Sequence, residues 1–309
     1  MSNAILNTLG YESALLRLSR RVPNLSTNQT RLPVLSALPT AYFVNGDTGL
    51  KQTTEMAWAN KYLNVEELAA IVPVPQNVVD DISYNIWDEV QPLLAQAIGR
   101  AVDAAAFFGT NKPSSWPTAI ATAAASASQT VTRGTNNTAA GGIAGDIDDL
   151  MSKVEASGYV PTGFATNLTE RQYFRKARDS QGQLLLDFGS RGAGTIPNPG
   201  NAGNSFDTIL GLPVAYMMPG LWPTGSGAAE VFLGDFQQSI VGIRKDITVD
   251  VFDQGVIQDN TGAIVYNLIQ QDMIALRVTF RMAWQVANTI NYQQTVEASR
   301  YPFAVLLAP

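Results

Sequence analysis

The strongest constraint in this sequence is a run of about 30 residues patterned for one long helix, about 45 Å at 1.5 Å per residue. It opens after two prolines, Pro73 and Pro75, with Asn77 placed to cap and Asp80 and Asp81 in the first turn, where the helix dipole favours carboxylates. Val79, Ile82, Ile86, Val90, Leu93, Ala97, Ala101, Ala105 and Phe108 then recur at steps of three and four. Gly109 stands where a C-terminal glycine is expected. Pro92 lies inside the run, where it cannot donate to the carbonyl of Asp88, so the spacing predicts a bend there.

A helix with one apolar face needs a second layer to cover it, and the C-terminal third supplies a candidate. Ile247, Val249 and Val251 alternate with polar residues, as do Ile274, Leu276, Val278, Phe280, Met282, Trp284 and Val286, with Arg277, Thr279, Arg281 and Gln285 on the opposite face. These runs predict a sheet backed by the long helix. Residues 2–18 carry a weak amphipathic pattern, and 20–40, interrupted by Pro23, Pro33 and Pro39, read as an extended arm. Residues 41–74 read as two strand-like runs around a polar, Gly-containing stretch. This is a long hairpin in which Trp58 and Tyr62 stand among Glu55, Lys61, Glu66 and Glu67. Such a hairpin has little core of its own and requires a partner surface.

Residues 118–145 are dominated by Ala, Ser, Thr and Gly and read as a connection or mobile surface segment at a domain boundary. Beyond it, 146–157 predicts a helix ending at Gly158, and 164–166 a short strand. Thr169 with Gln172 predicts a capping box opening a second helix, with Lys176 and Arg178 in its last turn. Residues 189–204 read as a flexible loop, and 209–217 and 231–233 as short strands.

Composition narrows the functional classes. The chain has no His and no Cys, which removes the usual zinc ligands, His-activated nucleophiles and any disulfide framework. Charged residues are 15% of the chain and apolar ones 46%, against about 25% charged in typical soluble proteins, which suggests surface buried between subunits. The net charge of −6 argues against gripping nucleic acid by phosphate neutralisation. No stretch reaches the length of a membrane span or shows the pattern of a secretion signal.

Acidic pairs occur at Glu66–Glu67, Asp80–Asp81, Asp88–Glu89 and Asp148–Asp149, but adjacent residues diverge in direction, and solvated faces and helix starts account for them. Gly189, Gly192 and Gly194 do not complete a GxGxxG pattern, and no GK[ST] sequence follows. Neither a catalytic site, a cofactor site nor a metal site is expected.

The order of elements resembles the major capsid proteins of tailed phages with the Hong Kong-97 fold. The resemblance is carried most specifically by VPVPQNVVDDISYNIWDEVQPLLAQAIGRAVDAAAFFGTNKP (72–113), similar to that family's spine helix, and by TNLTERQYFRKARDSQGQLLLD (166–187). TILGLPVAYMMPG (208–220) and VFLGDFQQSIVGIRKDITVDVFD (231–253) add to it. It implies an α+β fold: an N-terminal arm at 1–40, an extended β-hairpin loop at 41–72, and a peripheral domain formed by the spine helix segment 73–125 and the sheet segment 245–300. It further implies a mixed α/β axial domain at 126–244, to which YPFAVLLAP (301–309) returns.

The function implied is a non-enzymatic subunit that assembles through pentamers and hexamers into an icosahedral shell. The shell would enclose double-stranded DNA without binding it specifically, in a virion assembled in the host cytoplasm. An encapsulin-like nanocompartment enclosing a cargo enzyme is the alternative. Portal and decoration proteins would be the partners, and with about 40 residues ahead of the loop a scaffolding function is expected to be separate or absent. The expected subunit interface comprises Lys51, Glu55, Trp58, Lys61, Tyr62, Glu66 and Glu67. Some members of the family join subunits by a Lys–Asn isopeptide bond assisted by Glu. Lys51 or Lys61 with Asn288 or Asn291 and Glu297 are the residues to weigh for it, against a reading as ordinary surface residues.

Overall fold

The computed structural model describes residues 13–22, 25–44, 46, 48–77, 86–137, 141–177, 207–217, 220–259 and 261–309. In chain order the helices are α1 (Ala14–Leu18), α2 (Ile86–Asp103), α3 (Ile120–Ser126), α4 (Ile143–Ala156) and α5 (Arg171–Lys176). The strands are β1 (Arg20–Val22), β2 (Gln29–Ala37), β3 (Ala57–Pro75), β4 (Thr130–Thr132), β5 (Gly163–Asn167), β6 (Asp207–Ile209) and β7 (Leu212–Met217). They continue as β8 (Ala229–Gly234), β9 (Ser239–Phe252), β10 (Val256–Gln258), β11 (Ile264–Asn267), β12 (Met273–Val286) and β13 (Phe303–Leu307).

Two sheets organise the molecule, one of five strands in the order β1-β9-β12-β3-β2 and one of six in the order β4-β13-β8-β5-β7-β6. The first is built around β12, whose period-2 alternation sends Leu276, Val278, Phe280, Met282, Trp284 and Val286 inward. There they share a core with Leu94, Ile98 and Val102 of α2. Its outer face carries Arg277, which meets Asp250 at 3.0 Å, and Thr279, which bonds Thr248 across the strands at 2.6 Å.

The second sheet is packed on both sides, again through alternation. Phe232 of β8 and Phe303 and Val305 of β13 join the large core, while Val231, Leu233, Ala304 and Leu306 face Ile147, Leu150 and Val154 of α4. Gly234 of β8 lies so close to β13 that an added Cβ would sit 2.4 Å from the Pro302 carbonyl oxygen.

Helix α2 passes into a π-helical turn, Ala104–Phe108, and ends at Gly109 with φ 80°, a left-handed residue favouring glycine. The turn swings Phe107 and Phe108 together onto Phe232, at ring-centroid distances of 4.9 and 5.5 Å. The expected start of this helix at Val79, Asp80, Asp81 and Ile82 lies outside the described residues, as do residues 2–12, Arg178 and the loop at 189–204 with its glycines.

Several expectations need correction. The face of α2 turned inward carries Leu94, Ala95, Ile98 and Val102, while Leu93 is exposed and so are Ala97 and Ala101. Both stripes fit a 3.6-residue period, and the helix turns inward the one with more apolar area to remove from water. The extended segment within 20–40 is anchored on the sheet, where β1 pairs with β9 and β2 with β3, and Ala14, Leu15 and Leu16 belong to the main core.

The hairpin expected within 41–74 is formed instead by β2 and the first part of β3, running from Gln29↔Asn64 to Ala37↔Ala57. The second part of β3 pairs with β12, from Ala283↔Val65 to Met273↔Pro75. The small-residue segment 118–145 is no mere connection: Ile120 and Ala124 are fully buried, and β4 lies beside β13. Alanine suits helices and close approach alike, so this composition is compatible with a core position. The cap expected at Thr169 is made by Asn167, whose side chain accepts from Thr169 N at the head of a short 3₁₀ turn.

Candidate self-association surface

The β2–β3 ladder ends in a loop whose described residues leave several large apolar side chains uncovered. Between Ala37 and Ala57 none of the described residues lies in a helix or strand, and Tyr42, Val44, Leu50 and Met56 are exposed, with Phe43 104% and Leu50 84% accessible. Trp58 and Tyr62 continue this surface along β3 at 57% and 42%. A hydrogen bond from Tyr42 Oη to Gln52 O at 2.8 Å spans the loop. Residues 57–60 are all exposed, so neither face of this part of β3 packs on the subunit.

The base of the ladder is polar and tied to the body. Lys61 Nζ lies 3.2 Å from Glu297 Oε1 and donates to Val286 O at 3.4 Å. Gln285 Nε2 donates to Tyr62 O at 3.0 Å, Asn64 Nδ2 to Ser115 O at 3.1 Å, and Ser115 Oγ to Glu66 Oε1. Tyr292 Oη donates to Pro39 O at 2.8 Å, fixing the other strand's exit. Glu66 and Glu67 diverge, as neighbours on a strand must: Glu66 takes Ser115, and Glu67 lies 3.6 Å from Arg281 Nε on the outer face.

The seven residues singled out from sequence therefore divide into two groups. Lys51, Glu55 and Trp58 are exposed on the loop or the unpacked stretch of β3, and the Tyr62 side chain is exposed at the base of the ladder. Lys61, Glu66 and Glu67 engage groups of the same subunit at the base. Lys61 meets Glu297, but the two asparagines weighed with them are occupied. Asn288 Oδ1 accepts from Tyr159 Oη at 2.9 Å, and Asn291 Nδ2 donates to Ser157 O at 2.8 Å while its Oδ1 accepts from Gln294 N.

The side chain of Glu297 is 65% exposed, so its pairing with Lys61 is screened by water. Lys61→Ala is expected to cost less than about 1 kcal/mol in denaturant unfolding of the isolated subunit. A loss above about 2 kcal/mol would mean that the ladder's base depends on this pair.

Sequence reasoning passed over a second exposed apolar set. The β10–β11 hairpin displays Val256, Ile264, Val265 and Tyr266, with Ile269 beyond it. Its turn is set by Asp259, whose carboxylate accepts from the Thr261 hydroxyl at 2.7 Å, from Thr261 N at 2.8 Å and from Ala263 N at 3.0 Å. Those donors hold its pKa below the ordinary carboxylate value. The Asp-x-Thr-Gly run at 259–262 was the available signal.

Also missed was a paired cluster on the second sheet, where Arg133 forks onto Glu230 at 2.6 and 2.8 Å and stacks on Tyr173. Burial, with Glu230 adding to it, pushes the nearby Glu170 up to about 7, and Arg133 opposes the shift. Among the described residues no three His, Cys, Asp or Glu side chains gather as metal ligands, and no helix is long and apolar enough to cross a membrane.

A family model described as the phage capsid family matches residues 1–290. The major capsid protein of Staphylococcus phage 80alpha is 24% identical over 301 residues, spanning 96% of this chain and 83% of that one. Among solved structures, a chain from Microbacterium phage Oxtober96 superposes with a TM-score of 0.78 at 33% identity, covering 96% of this chain and 91% of that chain. One from Mycobacterium phage Bobi gives 0.77 at 32% identity, with 96% and 90% covered. The mixed α+β architecture of two sheets and several helices is thus shared along almost the whole chain.

Proposed function

The chain belongs to the phage capsid family, and from that premise we propose that it is a major capsid protein whose copies close into an icosahedral shell around phage DNA. The observation that carries this reading is the ladder tip, where Phe43, Leu50, Met56 and Trp58 are exposed. Monomeric soluble proteins rarely leave contiguous apolar surface uncovered. A neighbouring copy is the partner always present at the right stoichiometry, and a heterologous contact repeated around a ring produces closure.

On this reading the fold is of the Hong Kong-97 type. Helix α2 on the five-stranded sheet is the peripheral domain, the six-stranded sheet with α4 is the axial domain, and residues 38–56 with the ladder beneath them are the extended loop. Pentamers and hexamers would be the assembly units. The role is structural rather than catalytic, and the net charge of −6 suits a wall that confines DNA without gripping its phosphates.

Pro92 lies inside α2, and a bend there would set the angle between the two ends of the subunit. Pro92→Ala should change particle size or yield, and particles of unchanged diameter and yield would remove that role. The reading as a whole is tested by expressing the chain alone and with phage infection, then imaging purified particles. Closed shells, filled with DNA after infection, are expected; particles loaded with one enzyme, or no particles under either condition, would overturn it.

A further inference from the structure

We propose that Asp103 and residues Ser13–Leu15 form a proton-linked latch that governs whether the N-terminal segment stays docked in the core of the subunit. Asp103 closes α2 and is completely buried. Ser13 Oγ donates to its Oδ1 at 2.7 Å, Ala14 N to its Oδ2 at 2.9 Å and Leu15 N to its Oδ1 at 3.1 Å. Every one of these donors belongs to the first turn of α1, residues about 90 positions away in the chain. The same turn brings Ala14, Leu15 and Leu16 into the core, so lifting the segment off exposes the carboxyl to water and uncovers apolar surface together.

Among the described residues no cation compensates this carboxylate. The docked helix carries one charged residue, Arg17, which is half-buried. On Asp103's own helix, Arg100 donates to Gly220 O at 2.9 Å. Strand β7, which also packs on α1, carries Tyr216 beside Arg171, and α3, beside the π turn, has no titratable residue. A buried carboxylate held only by neutral donors pays desolvation in its charged form. Burial accordingly raises the Asp103 pKa from 3.8 to about 6, with the bonds from Ser13, Ala14 and Leu15 opposing the shift.

The sign of the linkage follows from that direction. The docked state holds its proton up to about pH 6, whereas the undocked carboxyl releases it near its ordinary value. The stabilisation is fully present below the ordinary value and is lost as pH rises through the docked one. Docking is therefore tighter in mild acid than at neutral pH, and for two pKa values separated in this way the docking equilibrium falls about ten-fold between pH 5 and pH 7. The latch is a property of the single subunit and does not depend on the shell reading.

The test is amide hydrogen exchange on the full-length subunit, corrected for intrinsic exchange rates. Protection at residues 14–19 should be about ten-fold higher at pH 5 than at pH 7. Asp103→Asn, whose side chain does not titrate, should abolish that difference. Ser13→Ala removes a donor to the anion and should move the midpoint upward, so it provides a second readout if the Asn variant does not fold. Equal protection at both pH values in the unmodified chain would overturn the latch, as would an Asn variant that folds and keeps the full difference.

Discussion

Replacing residues 41–55 with a short Gly-Ser linker should abolish shell formation while leaving a folded, soluble subunit. Ala37 and Ala57 are register partners at the end of the β2–β3 ladder, so a tight connection closes the gap without disturbing either strand. The excised residues include Phe43 and Leu50, both highly exposed, and none of the described residues among them enters a buried cluster. Burying a side chain such as Phe or Leu contributes about 1.5–3 kcal/mol, and each subunit would lose several such contacts with its neighbour. Association entropy and side-chain ordering already oppose each contact, which makes assembly vulnerable to that loss. Circular dichroism and sedimentation velocity should report an intact monomer, and electron micrographs should contain no shells. A wider excision is not equivalent: Leu63 and Val65 are core residues, and β3 joins β12 to β2, so removing residues up to 70 would unfold the sheet.

Phe232→Ala should destabilise the isolated subunit by about 3–5 kcal/mol, a large part of the stability of an ordinary domain. Phe232 is fully buried on β8 and touches three aromatic rings, with centroids at 4.9 Å to Phe107, 5.5 Å to Phe108 and 5.5 Å to Trp222. Those rings come from the π turn after α2 and from the segment before β8. The substitution opens a cavity where the long helix meets the second sheet, and Ala supplies none of the lost contacts. Chemical denaturation followed by tryptophan emission should show an earlier midpoint with little change in slope. A cost under about 1 kcal/mol would mean that helix and sheet do not share one core.

These two variants lie at opposite ends of what the sequence made legible. The long helix was read from its period and its terminal glycine, and Gly109 does end it with φ 80°. The alternation in β12 was equally readable, because Leu276, Val278, Phe280, Met282, Trp284 and Val286 are buried while Arg277 is exposed, but in β9 it held at Ile247 and failed at Val251, which is exposed. The choice between the Leu93 and Leu94 stripes of α2 was not readable, since both fit a 3.6-residue period and only the tertiary partner decides between them. The π turn was hidden for the same reason: an inserted residue changes which side chains share a face without leaving a mark in composition.

Strand pairing was the least accessible level. Residues 29–37 contain Pro33 and read as an arm, although a proline is tolerated on an edge strand, and β2 is the edge of its sheet. Trp58 and Tyr62 were recognisable as apolar residues without an obvious core, and they are exposed. Lys61, Glu66 and Glu67 belonged to the same stretch, but their partners Glu297, Ser115 and Arg281 come from distant segments that local pattern cannot bring together. Asp103 interrupts an apolar helical face, and Ser13 precedes an Ala-Leu-Leu run. Neither residue was singled out from the sequence, because the bond between them is a matter of tertiary structure.

The most direct test of self-association compares hydrogen exchange at residues 40–58 in the free subunit and in assembled particles of the same chain. Rapid exchange in the free subunit and strong protection after assembly are the expected results at the loop, since Phe43 and Leu50 stand open to solvent in a single copy. Strong protection in a subunit that stays monomeric, or equal exchange in both states, would contradict the assignment of this loop to a neighbouring copy.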